Sequence, residues 1–468
     1  MTTEASVAAD TSTRELARFV AGLTLDVIPA EVVSRAQRSL LDTFGCGLFG
    51  ATLPWSAILR TTLGQVDDGR ACRVWGTSQR LSAPHAALAN GAAVHAFELD
   101  DLHKESILHA GATATPAALA AAELAGGVTG ARLLAGVIAG YEAGARAGMT
   151  VGTAHLLQGW HPTGTHGALA AAAAAAVVLG LDAGQVQHAL GIAGSQSSGL
   201  MAAQYSAMVK RFHAGRAAQS GLYAALLARA GYTGITNLFE SEYGGYCGTF
   251  SPSHDLAPLT DGLGSRWEAG RVGYKPYAAN GSCHPAIEII QELIAAEGIT
   301  PGDIERVEVR ASTATVAHVG WAYQPGSVTT AQMNLPYIVA VALTDGEVFT
   351  EQFQPDRIAD PALVELSRRV SVRADPGIDA QGPSHRHATR IAVRLTDGRV
   401  LECEKLYARG SARAPLTDDE VRAKYRRLAG TVLGDRQVAL IERLTDDLAG
   451  LDSSEPLSAA LAPAAGAR

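Results

Sequence analysis

The sequence predicts a mainly α protein with an α+β part: a large all-helical domain, a smaller mixed domain, and helices again at the end. Three observations predict it. Apolar residues recur at spacings of three and four through most of the first 230 residues. A glycine-rich stretch then breaks the pattern, and beyond it alternating runs flank Asp397-Gly398, a strong hairpin signal. At 468 residues the chain is long enough for two domains, since single cores rarely grow beyond about 250 to 300 residues.

Taken in order, helical spacing covers residues 16–23, 32–49, 114–124, 133–147, 168–179, 185–193 and 217–230, with glycine or proline between most segments. Residues 231–270 read as loops and turns, and the domain boundary is placed close to Gly270. The next segment predicts a helix over 285–297, a strand over 304–310, a helix over 331–343 and a hairpin pairing 390–395 with 400–406. After Pro415 the chain turns helical, opened by Thr417 with Glu420 three residues on, a capping-box spacing. These helices are expected to rejoin the first domain. The organisation is thus 1–270 completed by 411–468, with 271–410 as the α+β domain; residues from about Ser453 are expected to fray.

Composition narrows the function. Hydrophobic residues make up 47% of the chain and charged ones 18%, which describes a packed globule of enzyme size. Net charge is −8 without a basic run, so the electrostatic footprint of a nucleic-acid binder is missing. The polar start does not resemble a signal peptide and the longest apolar run is alanine-rich and short of a membrane span; no membrane association and a cytoplasmic location are expected. Five scattered cysteines form no CxxC pair, which argues against a zinc site, a disulfide framework or grouped thiolates for an iron–sulfur cluster.

Four clusters concentrate polar chemistry. Gly159-Trp160-His161-Pro162-Thr163-Gly164-Thr165-His166-Gly167 places two histidines and two hydroxyls at the opening of an alanine-rich helix, where free N–H groups and the dipole favour an anion. Thr163 or Thr165 could equally be a plain cap. Glu98, Asp100 and Asp101, with His103 and His109 following, crowd three carboxylates into four residues; burial would raise at least one pKa, whereas a solvated helix end is the structural alternative. Metal binding through Asp100 and Asp101 lacks a recognised loop spacing.

The third cluster, Lys210-Arg211-Phe212-His213-Ala214-Gly215-Arg216, sets cations against a helix start, a local conflict that suggests an anion to be held. The fourth runs from Tyr274-Lys275-Pro276-Tyr277 to Asn280-Gly281-Ser282-Cys283-His284, just after the proposed boundary, and clefts between domains are common ligand sites. Lys275 beside two tyrosines could bind a carboxylate or donate a proton. Cys283 lacks the surroundings of a Cys/His nucleophile.

These four motifs in this order resemble the MmgE/PrpD family, which includes 2-methylcitrate dehydratase, cis-aconitate decarboxylase and iminodisuccinate epimerase; the resemblance runs over about residues 15–428. It implies a helical domain formed by both chain ends, a smaller α+β lid between them, an active site in the cleft, a homodimer, and chemistry with no cofactor and no metal. Carried over by motif, the catalytic candidates are Asp100, His109, His161, Lys210 and Lys275. Substrate-contact candidates are Glu98, Asp101, His103, Thr163, His166, Arg211, Arg216, Tyr277, Asn280, His284 and Trp321. A polycarboxylate substrate needs cations, and moving a proton next to a carboxylate needs an acid or base and stabilisation of the developing charge.

Departures from the decarboxylase pattern stand at Leu102 in place of threonine, Ala110 in place of proline, Asn280 in place of histidine and Trp321 near an expected tyrosine. They rank cis-aconitate-type decarboxylation below dehydration of a small hydroxylated di- or tricarboxylate such as 2-methylcitrate. Epimerisation of a substituted succinate, which needs the same α-proton abstraction, is the alternative that sequence does not separate from dehydration, and Asn280 is the support for a non-catalytic carboxylate-binding role. They also leave room for an apolar substituent near Leu102 and Trp321.

Overall fold

The structure, a computed structural model, describes residues 11–463. Its helical part is built around Pro162–Leu179 (α7), a helix so rich in alanine that neighbours approach closely on all sides. Gly130–Leu157 (α6), Gly111–Leu124 (α5), Val209–Arg229 (α9) and Ala183–Gly194 (α8) surround it. Gly140 and Gly144 of α6 and Gly221 of α9 face α7 where a Cβ would strike Ala170, Ala171 or the Ala168 carbonyl. The helix long and apolar enough to cross a membrane is this same α7, and it lies buried in the core.

A second helical layer comprises Ala30–Ala51 (α2) and Ala83–Val94 (α4), on which Asp418–Ala429 packs. That C-terminal helix starts with the expected capping box, Thr417 accepting from Glu420 N–H while Glu420 reaches back to Thr417 N–H. Its Lys424 enters the core to hold Asp42, at 2.6 Å, and the Leu99 carbonyl.

The mixed part carries a four-stranded sheet. Ile304–Ala311 pairs in parallel with Val370–Ala374 and antiparallel with Thr389–Leu395, which pairs with Val400–Lys405 across the predicted Asp397-Gly398 turn. Thr389–Leu395 alternates buried and partly buried positions along its length, while the edge strand Val400–Lys405 stays open to solvent. His284–Glu297 and Leu335–Asp345 cover the sheet's buried side.

Several expectations are corrected. The helix expected over 331–343 splits: Val328–Gln332 ends, and Leu335–Asp345 restarts because the Asn334 side chain caps Tyr337 N–H and Pro336 fits the first turn. The helix expected from residue 217 starts at Val209, so the Lys210–Arg216 cations lie inside its first turns rather than before it. The strand Val370–Ala374 and the helix Pro54–Val66 carry no periodic signal strong enough to predict. Fraying from Ser453 is also overturned, since Glu455–Ala460 is a helix and Leu457 and Leu461 are fully buried; the remainder of that tail, 464–468, lies outside the described residues.

Candidate active site

The site grows from the end of α4. After the single 3-10 turn His95–Phe97, Glu98 takes the left-handed conformation, φ 52° and ψ 33°, which costs a non-glycine residue about 1 to 3 kcal/mol. The strain is held by charge. Glu98 accepts from Lys210 Nζ, from Arg211 Nη1 at 2.7 Å and from Lys275 Nζ at 2.9 Å, all buried. Burial opposes ionisation of Glu98, but Lys210, Lys275 and Arg211 outweigh it and hold its carboxyl well below the usual range. Burial likewise lowers the Lys210 ammonium to about 8 despite Glu98.

Two residues on, Asp100 sits between imidazoles: Oδ2 is 2.7 Å from His95 Nδ1 and 3.3 Å from His109 Nδ1. His109 is brought there by a loop whose neck is closed by Asp101, which accepts Gly111 N–H and the Tyr141 hydroxyl. His103 pairs with the Leu108 backbone inside that loop, and Leu102–His103 joins Val272–Gly273 in a two-stranded ladder that ties the loop to the start of the mixed part.

His161 caps α7 by position, though its side chain makes no cap; instead its Nδ1 meets His213 Nδ1 at 3.0 Å. Ring centroids run His109–His95 4.8 Å, His95–His161 5.4 Å and His161–His213 5.1 Å, a continuous row of four imidazoles. Burial, reinforced by Lys210, drives His161 well below the usual histidine range and His213 to about 4, so both are neutral at pH 7.

These groups meet in one cleft whose empty space, including the part open to solvent, is about 570 Å³. Its lining combines Glu98, His109, His161, Lys210 and Lys275 with the apolar Leu102, Ile107, Leu156, Met201 and Ala314, and with Asn280, His318, Arg386 and His387 of the mixed part. Ile107, Leu156 and Met201 pack as a small cluster separate from the main core.

Of the sequence candidates, Glu98, His109, His161, Lys210, Lys275 and Asn280 line this cleft. Asp100 stands directly behind His109, and Thr163 accepts the His109 N–H. The others lie outside the cleft lining. Asp101 closes the loop neck, His103 bonds Glu268 and Ser106, His166 bonds Tyr246, and Arg211 divides between Glu98 and Gln332. Arg216 bonds Gln219, Tyr277 bonds Gln291, His284 bonds the Ala279 carbonyl, and Trp321 packs edge-on against Tyr205. Tyr274 and Tyr277 turn away from Lys275; Tyr274 bonds Ser39.

Sequence reasoning passed over His95, His318, Arg386 and His387, and named His213 only as a member of the third cluster. Signals existed: His95 is one turn before Glu98, His213 one turn after Lys210, and Arg386 and His387 belong to the polar run Ser384-His385-Arg386-His387 before a strand. Among the described residues, His95, Asp100 and His109 are the set whose ligand atoms converge closely enough for a metal ion, within 4.8 Å. Both Nδ1 atoms there face the Asp100 carboxylate, an arrangement that also suits an acid orienting two imidazoles.

A helical body, an α+β part and a cleft of imidazoles and lysines between them define a two-domain enzyme. The MmgE/PrpD N-terminal domain matches residues 14–257 and the MmgE/PrpD C-terminal domain residues 277–448; the chain belongs to the MmgE/PrpD family. It is 35% identical to the cis-aconitate decarboxylase-like protein oryM of Aspergillus oryzae, covering 96% of each chain. It is 34% identical to the cis-aconitate decarboxylase of Aspergillus terreus over 95% of this chain and 94% of that one, and 26% identical to that of Homo sapiens over 96% and 94%. It is an enzyme of the lyase class.

Proposed function

We propose that this lyase decarboxylates a small unsaturated tricarboxylate of the cis-aconitate type. The observation that carries the reading is the meeting of His109 and His161 with Lys210 and Lys275 in one cleft that Leu102, Ile107, Leu156 and Met201 also line. The full-length likeness to the two Aspergillus proteins supports it.

The chemistry follows from the parts. Loss of CO2 from a carboxylate one carbon removed from a double bond sends the C–C electron pair into a new double bond, and the far carbon of the old one takes a proton. Lys210 and Lys275 hold substrate carboxylates and the charge that spreads over them; their hold on Glu98 keeps them buried and aimed. His109, oriented by Asp100, delivers the proton to carbon. The apolar cluster Ile107, Leu156 and Met201 in the lining receives the departing, uncharged CO2. Neutral His161, backed by His213, takes part as a hydrogen-bond partner rather than a charge.

A second reading, dehydration of a hydroxylated analogue, draws on Leu102 and Asn280. Leu102 presents no hydroxyl to the cleft, and Asn280 spends its Oδ1 on Ser282 N–H rather than on a ligand. His318 and His387 also line the cleft and supply imidazoles there, which favours the first reading. Incubation with cis-aconitate tests it: CO2 with a methylene-bearing dicarboxylate supports decarboxylation, and interconversion with a hydroxy acid without CO2 supports dehydration.

A further inference from the structure

Arg386 is a buried cation without an anion. It is 7% exposed, and its guanidinium spends donors on the Lys104 carbonyl at 3.1 Å, on Thr153 Oγ1 at 3.4 Å and on His387 Nε2 at 3.3 Å, all uncharged partners. Among the described residues no carboxylate ion-pairs with it; the nearest acidic influence, Glu105, pairs with Arg271 instead. Every other cation deep in this site, Lys210, Arg211 and Lys275, has Glu98.

Burying an unpaired guanidinium is costly unless something anionic arrives. Its backbone is anchored, since its carbonyl accepts from Ser312 Oγ at 2.7 Å and Thr315 Oγ1 at 3.0 Å. In the same lining, His318 Nε2 is buried without a hydrogen-bond partner and His387 is 8% exposed. Burial lowers Arg386 to about 10, so it keeps its charge at neutral pH.

We infer that Arg386, which lines the cleft with His318 and His387, forms a carboxylate subsite additional to that of Lys210 and Lys275. The inference rests on the polycarboxylate reading of the cleft. A planar guanidinium with parallel donors matches a carboxylate better than an ammonium does, and it lets the enzyme count carboxylates: a tricarboxylate satisfies Arg386 as well as the two lysines, a dicarboxylate the lysines alone.

The test uses binding of the purified full chain to propane-1,2,3-tricarboxylate and to succinate, neither of which has a double bond to react, read by titration calorimetry. The wild type is expected to prefer the tricarboxylate. In Arg386→Gln that preference should fall on the order of a hundredfold, with succinate affinity little changed. Arg386→Lys should restore part of it. Equal loss for both ligands, or an unchanged ratio in Arg386→Gln, overturns the subsite. Thermal melting of each variant separates these results from unfolding, and Thr153→Val, which removes only a long bond to Arg386, should leave the ratio intact. The affinity ratio judges Arg386 even if the protein decarboxylates none of its ligands, so the two proposals fail separately.

Discussion

Lys275 of the mixed part donates to Glu98 of the helical part, Nζ to Oε2 at 2.9 Å, with both side chains almost wholly buried. The cleft is therefore assembled across the chain's two regions by one carboxylate serving three cations. Removing that carboxylate leaves Lys210 and Arg211 without an acidic partner and Lys275 with only the more distant Asp100 Oδ1, at 3.9 Å.

Glu98→Gln is accordingly expected to destabilise the protein by about 3 to 5 kcal/mol, the cost of breaking a buried charge cluster from one side. Chemical denaturation measures it. Unchanged stability would mean that the three cations are solvated, contrary to their burial.

His109→Asn should lower turnover on the order of a hundred- to ten-thousandfold while melting stays close to wild type, because its ring lines the cleft at the end of the imidazole row. Asp100→Asn should lower turnover too, through loss of the ring's orientation. A fully active His109→Asn alongside an inactive His161→Asn would move the proton-transfer role to His161.

Lys210 must be protonated to hold a carboxylate, and burial brings its pKa to about 8. The kcat/KM profile should therefore be level below pH 8 and fall about tenfold per unit above it. Lys210→Arg should carry that limb to higher pH. A flat profile through pH 9.5 would contradict the assignment.

Asp101 gives a stability signal with the opposite use of pH. Burial, aided by Asp42 and Asp100 against the Tyr141 hydroxyl, raises it from 3.8 to about 8. Between those values the unfolded chain is ionised and the folded one still holds the proton, so this group's contribution is complete below about pH 4 and is lost as pH rises toward 8. Asp101→Asn should flatten that decline, gaining most over wild type at pH 8. Equal pH slopes in denaturation of the two proteins would refute it.

How much of this was legible in the sequence follows from how local each signal is. Most helices of the first domain, the hairpin at Asp397-Gly398 and the Thr417 cap announce themselves within a few residues and appear, whereas spacing set no range for Pro54–Val66 or Ala83–Val94. The Glu98, His109, His161, Lys210 and Lys275 constellation was found because each sits in a dense polar motif. His318 and Arg386 were not, because each is made functional only by the fold of the mixed part against the helical body, and no spacing along the chain records that. The reverse error has the same root: His166, Arg216 and Trp321 sit in or near telling motifs, yet helix phase and packing point them at Tyr246, Gln219 and Tyr205.

The His95, Asp100 and His109 set is also where a metal requirement would show. Turnover is expected to persist after dialysis against chelator, with Asp100 acting as an orienting carboxylate. Loss of activity restored by a divalent ion would instead make these three side chains ligands.

The most direct test of the account is proton NMR of the protein with cis-aconitate in heavy water. Decarboxylation predicts release of CO2 and a methylene-bearing dicarboxylate carrying one deuterium on the carbon that took the proton, with both signals lost in His109→Asn. Hydration to a hydroxy acid, or deuterium washed into an otherwise unchanged substrate, would contradict it.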